Sequence, residues 1–153
     1  MKLLAEEFRI ENGLLADTAG GVDSARLRVV GTNKVSVIVA LGTGVATTLV
    51  MKIQEHDAAA AGTTKDVVRT VPVYFKADGD VVMTKLIEDG LAPIAISALD
   101  TVKGSVVIEI HLDDLTEGFE YVSINFAAPG AARLANVDYA LDTHNKAAYL
   151  HVL

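Results

Sequence analysis

The segment from Ser105 to Phe126, SVVIEIHLDDLTEGFEYVSINF, constrains the fold more than any other stretch. Val106, Ile108, Ile110 and Leu112 alternate with Val107, Glu109 and His111, the period of a strand with one buried face. Asp113-Asp114-Leu115-Thr116-Glu117-Gly118 then breaks the alternation with turn-forming residues. It resumes with Val122, Ile124 and Phe126 against Tyr121, Ser123 and Asn125. Two strands joined by a polar corner predict an antiparallel sheet, with Tyr121 as a packing anchor. They carry no catalytic signature.

The same period recurs along the chain. KVSVIVAL (34–41) is apolar on both faces, as a central strand is. After Gly42-Thr43-Gly44, the run 46–56 places Leu49, Met51 and Ile53 inward and Thr48, Lys52 and Gln54 outward, so 34–56 reads as a hairpin. Residues 66–75 predict a strand whose Pro72 lacks an amide donor, which puts it at a sheet edge or makes it begin late. Asp78-Gly79 is a tight-turn signal before a strand at 80–87. Residues 91–101 read as a loop with one short strand. Residues 133–142 place Ala135, Val137, Tyr139 and Leu141 on one face. Seven or eight strands, and no long segment of period 3.6, predict an all-β antiparallel β-sandwich, Greek-key or jelly-roll-like. The domain occupies 26–142. It is flanked by an N-terminal arm (1–25), loop-like at its Ala/Gly/Asp-rich 16–25 stretch, and by a C-terminal tail (143–153) with apolar Tyr149, Leu150, Val152 and Leu153.

Composition narrows the function classes. The 153 residues amount to one domain, and 51% hydrophobic against 22% charged residues is a globular balance. A formal charge of −7 argues against nucleic acid and anionic membrane as partners. The absence of Cys removes disulfides, thiol nucleophiles and zinc–thiolate sites. Glu6, Glu7, Arg9 and Glu11 interrupt any secretory apolar core, and no run of about 18 apolar residues exists to span a membrane, so a soluble protein is expected.

Motifs with chemical potential each have a plainer reading. Gly42-Thr43-Gly44-Val45-Ala46-Thr47 lacks the third glycine and the following helix of a dinucleotide-binding turn. His111, Asp113, Asp114 and Glu117 offer hard-cation ligands at the 111–117 corner, but the spacing is not that of a calcium loop, and Asp113 suits a turn cap. Asp78 and Asp80 around Gly79 read as a turn for the same reason. His56, His111, His144 and His151 match no zinc spacing. Ser24, Ser36, Ser97, Ser105 and Ser123 lie in no nucleophile elbow. Tyr74 and Tyr121 are the outward aromatics, too few for a sugar platform. No catalytic, cofactor-binding or metal residue is assigned, and no enzymatic activity is expected.

The segments FRIENGLLAD, KVSVIVALGTGVATTLVMKIQEHDAA and VVIEIHLDDLTEGFEYVSINFAAPGAARLANVDYAL resemble capsid decoration, cement or minor head proteins of tailed bacteriophages. The similarity covers most of 34–142 and centres on Glu109, Asp114, Leu115, Gly118, Tyr121 and Val122. The alanine-rich 58–61 loop and the long tail after Asp142 depart from it. The resemblance implies a non-enzymatic virion protein, soluble in the host cytoplasm before assembly and bound afterwards to the capsid exterior. Its partner would be the phage major capsid protein. It also implies a homo-oligomer, a trimer by preference and a dimer otherwise. A tail, neck or fibre component, or a sugar- or Ca²⁺-binding sandwich, are the alternatives.

Overall fold

The computed structural model of the protein describes residues 8–17, 21–44, 48–67, 72–86, 93–127 and 133–142. The described residues form twelve strands: β1 (Phe8–Asp17), β2 (Val22–Asp23), β3 (Leu27–Arg28), β4 (Lys34–Leu41), β5 (Val50–His56), β6 (Thr64–Asp66), β7 (Val73–Ala77), β8 (Thr84–Leu86), β9 (Ile94–Ala95), β10 (Gly104–His111), β11 (Tyr121–Phe126) and β12 (Leu134–Asp142). Two single 3-10 turns, Ser97–Leu99 and Leu112–Asp114, are the helical elements among the described residues. Seven strands run five residues or more and supply the frame.

The strands make two antiparallel sheets. Sheet A has the order β1-β12-β4-β10-β7-β8. Sheet B has the order β2-β11-β5-β6, with β3 also on β11 and β9 also on β5. Along the chain, β1, the β2–β3 pair, β4 and β5 fall alternately in A and B, and β10, β11 and β12 alternate again. Setting β7–β8 aside as an addition to the β10 edge, and counting β2 with β3 and β6 with β9 as one position each, four positions remain in each sheet, and every connection between positions crosses between the sheets except β5 to β6. That is a jelly roll.

This topology corrects two local expectations. β4 and β5 are not a hairpin: β4 pairs with β10 and β12, and β5 with β11. Likewise β10 and β11 do not pair, so the 112–120 corner carries the chain from one sheet to the other. Alternation reveals a buried face but not the partner, because in a jelly roll the partner is distant in sequence. Pro72 precedes a strand that begins late, and β7 lies inside sheet A rather than at its edge. The Pro72 carbonyl accepts from the Glu109 N–H at 3.0 Å, a position where no donor is needed from the ring. Residues 8–17, expected within an arm, form β1 and pair along their length with β12. Residues 1–7, 18–20 and the tail 143–153 lie outside the described residues.

The core lies between the sheets. Val35, Val37 and Val39 of β4, Val106, Ile108 and Ile110 of β10, and Val137 and Tyr139 of β12 face Met51 and Ile53 of β5 and Val122, Ile124 and Phe126 of β11, all buried. Each such side chain removed from water contributes about 1.5–3 kcal/mol. Tyr139 reaches across the layers. Its hydroxyl lies 2.5 Å from Ser24 Oγ and donates to the Ala25 carbonyl at 3.2 Å. Ser24 Oγ accepts the Ile124 N–H at 2.8 Å, and the Ser24 N–H donates to the Ile124 carbonyl at 2.8 Å. Sheet A is thereby tied to the β2–β3 edge of sheet B.

Burial pushes the Tyr139 hydroxyl up to about 12, against the pull of its Ser24 hydrogen bond. The folded state therefore holds this proton beyond the pH at which an unfolded tyrosine, near 10, releases it. Its contribution is complete below pH 10 and is lost as pH rises towards 12. Tyr139→Phe strands Ser24 and is expected to cost about 1–3 kcal/mol in urea unfolding at pH 7. It should also flatten part of the stability loss between pH 10 and 12. A variant as stable as the parent would show that the hydroxyl does not tie the layers.

Candidate interaction surface

The two ends of the sandwich differ. At the Gly104 end of β10 lie Leu41 of β4 and Ala77 of β7, directly in register, with Leu134 opening β12 alongside. Five of the seven exposed large hydrophobic side chains among the described residues sit at this end: Val81, Val82, Met83, Val102 and Leu134. Val81 is 91% and Val82 72% exposed, values far beyond those of ordinary strand residues. The expected strand at 80–87 explains them. Its alternation would hide one valine, but the strand begins only at Thr84, and Val81 to Met83 project from the loop instead.

That loop is rigidly framed. Gly79 takes φ +92°, a conformation open to glycine, and nothing lies within 4 Å of where a Cβ would stand. Asp80 Oδ2 accepts the Ala77 N–H at 3.0 Å, the Asp80 N–H donates to the Ala77 carbonyl at 3.1 Å, and the Asp78 N–H donates to the Lys103 carbonyl at 2.9 Å. Asp78 and Asp80 thus act as turn residues. The exposed Lys103–Asp78 pair, at 3.3 Å, adds little stability in water. A shallow groove of about 310 Å³ runs between the 76–80 turn and residues 103–105.

Beneath the rim lies a buried guanidinium that sequence reasoning missed. Arg133, 4% exposed, donates through Nε to the Gly42 carbonyl at 3.0 Å and through a terminal nitrogen to the Val102 carbonyl at 2.8 Å. Burial disfavours its charge, and the nearby Asp100 carboxylate counters that. Asp100 Oδ2 accepts from the Thr48 hydroxyl at 2.9 Å. A Cβ on Gly44 would meet the Asp100 carbonyl at 2.2 Å, so glycine there serves close approach rather than phosphate binding. These contacts fasten the 42–44, 100–102 and 133 segments together, with Val102 and Leu134 outermost.

The opposite end is polar and self-satisfied. Glu55, 1% exposed, points into the core in phase with Met51 and Ile53, and the Thr116 N–H donates to its Oε2 at 2.8 Å while the Thr116 hydroxyl donates to Oε1. The polar corner is thereby latched to sheet B. Within the corner, Asp114 and not Asp113 is the cap, accepting the His111 N–H at 3.0 Å, and Gly118 at φ +86° makes the Thr116–Phe119 turn. His111, Asp113 and Glu117 are exposed. Among the described residues no three His, Asp or Glu side chains gather as a metal site.

His56 is the one candidate histidine that is buried, at 3% exposure; His144 and His151 lie outside the described residues. Its Nδ1 lies 2.9 Å from Thr64 Oγ1 and its Nε2 2.8 Å from Ser123 Oγ, with Ser123 itself buried. His56 of β5 and Ser123 of β11 lie diagonally on neighbouring paired strands, two residues apart in register, and cross-link them. Arg26 closes the site by donating to the Ala58 carbonyl at 2.9 Å and the Ala61 carbonyl at 3.2 Å. Burial lowers the His56 pKa below 6.5, aided by Arg26 and opposed by Asp23, Asp57 and Glu55. Protons therefore bind the unfolded chain first, and stability should fall as pH drops from 6.5 toward the lower folded value. Thermal melts between pH 7.5 and 5 are expected to show this decline, and His56→Gln should flatten it; an unaltered slope would remove His56 as its cause.

No protein-family model matches the sequence, and no curated protein matches it. Among solved structures, those of infectious bursal disease virus strains Gt and Gx align with TM-scores of 0.25 and 0.24 and identities of 12% and 15%. The alignments cover 93% and 96% of this chain but 44% and 43% of those, so the chain spans less than half of either. Superpositions this loose fix neither fold nor function, and the jelly-roll assignment stands on the strand order alone.

Proposed function

We propose that the protein is a non-enzymatic virion component that binds the outer surface of a phage capsid shell and stabilises it. The carrying observation is the gathering of Val81, Val82, Met83, Val102 and Leu134 at one end of the sandwich. An apolar rim of this kind is suited to a protein partner. The resemblance to decoration and cement proteins names that partner as the major capsid protein. Jelly rolls also serve as lectins and cupins, so the architecture is compatible with the reading without selecting it. The buried polar groups support a scaffold role: Tyr139, Glu55, Arg133 and His56 all engage structural partners. Modest individual contacts, repeated around a symmetric shell, add through multivalency. The formal charge of −7 suits a surface turned to solvent rather than to packaged nucleic acid.

Mixing the protein with expanded, undecorated shells is expected to give saturable, stoichiometric binding. Val82→Asp, at a 72% exposed position, should weaken that binding by about tenfold or more and leave the melting temperature unchanged. No binding to any state of the shell would sink the proposal. Tubes or rings formed by the isolated protein would favour a tail or neck component instead.

A further inference from the structure

The outer face of sheet A carries a pattern unrelated to the rim. Cross-strand registers align one row over five strands: Lys85 of β8, Tyr74 of β7, Val107 of β10, Ile38 of β4 and Asp138 of β12. The row runs from base through apolar residues to acid. The flanking rows mix small and charged residues: Ala40 beside Ser105 with Lys76 beyond it, and Ser36 between Ala140 and Glu109. Ile38, Val107 and Tyr74 are only partly buried, and Glu109, one row along from Val107, is paired with Lys34 at 2.9 Å on the same face. The outer face of sheet B carries more such contacts. It carries the Lys52–Asp66 pair at 2.9 Å and the Asp23–Asn125 bond at 2.6 Å, with the Arg28–Glu120 pair at 3.0 Å beside it.

We infer that the outer face of sheet A pairs with the same face of a second copy, about a two-fold axis parallel to the strands. Such an axis, set between β4 and β10, exchanges β4 with β10 and β12 with β7. Ile38 then stacks on Val107 of the second copy. Asp138 comes to lie over Tyr74 of the second copy, where the Lys85 ammonium already stands, 5.8 Å from the ring centroid. Acid meets base twice, once for each copy, which is the self-complementarity that an isologous contact requires. Asp138 is held on this face by the Asn136 amide, which donates to it at 2.7 Å. At about 4.8 Å between strands and about 3.4 Å per residue, six strands of three to ten residues outline roughly 700 Å². That approaches the ~800 Å² per partner of a standard interface. The two-fold differs from the threefold that the resemblance implies, and it leaves the Gly104 end uncovered.

Sedimentation equilibrium of the full chain, without shells, tests the pairing. The expected mass is twice 16.1 kDa at about 100 µM. Val107→Lys, which sets like charges beside the axis, should give a monomer with an unchanged melting temperature. Lys85→Asp should weaken the dimer about tenfold, and adding Asp138→Lys should restore it. A monomeric parent overturns the inference, as does a dimer or trimer that persists in Val107→Lys or a double swap that fails to rescue. Because shells are absent, failure here leaves the capsid reading intact, and failure of shell binding leaves the pairing intact.

Discussion

The contact between the two inner faces governs everything else in this molecule. Neither sheet is stable alone, since each has one apolar face that only the other covers. The chain also crosses from sheet to sheet at most connections, so the sheets cannot form one after the other. Val37, Val39, Ile108, Ile124 and Phe126 are fully buried because strands distant in sequence close over them. Such non-local pairing makes slow folding the expectation for this topology. It also places the surfaces proposed for binding on the ends and outer faces, because the interior is filled by the packed strands.

Apolar burial is non-directional and does not by itself set how the layers sit. The buried polar contacts supply that direction. Tyr139 to Ser24 couples the layers in the middle, Glu55 to Thr116 latches the corner at one end, and Arg133 to the Gly42 and Val102 carbonyls latches the loops at the other. Each is a buried group whose loss leaves an unsatisfied partner, which is costlier than the bond is favourable. Sandwich register is therefore determined at three places. Of the exposed rim, Val102 and Leu134 flank this latch directly, since Arg133 precedes Leu134 and holds the Val102 carbonyl.

Period-2 alternation made β4 legible to the residue, and β10, β11 and β12 legible to within two residues. The inward positions of Phe126 and Tyr139 were readable for the same reason. Strand pairing was not, because alternation reports which face is buried and says nothing of the neighbour. Glu55 had a signal that went unused: it continues the inward phase of Leu49, Met51 and Ile53, where a carboxylate must find donors. Val81, Val82 and Met83 looked like strand because their β propensity is high, yet the wide loop after Asp78-Gly79 delays pairing until Thr84. Propensity yields there to the geometry of the turn. The rim was thus invisible as a surface, although every residue in it was apolar in plain sight. Arg133 gave no warning, since an arginine beside a loop is ordinarily solvated.

The division of labour among surfaces follows from what each can tolerate. Sheet B's outer face is laced with ion pairs and hydrogen bonds, and covering it would strip water from charges that gain little from one another. The corner end is polar, with His111, Asp113 and Glu117 exposed to water. That leaves two surfaces with apolar area to cover: the rim at the Gly104 end and the Tyr74–Val107–Ile38 row of sheet A, where one ion pair, Lys34–Glu109, lies alongside. A molecule paired through the sheet still presents its rims, now two of them, facing the same way along the strand axis. An axis parallel to the strands preserves that shared direction, whereas an axis across them would point the rims oppositely. Two rims on one side are what a protein settling on a single extended surface needs, so the geometry inferred for pairing and the surface proposed for binding are mutually consistent while resting on different residues.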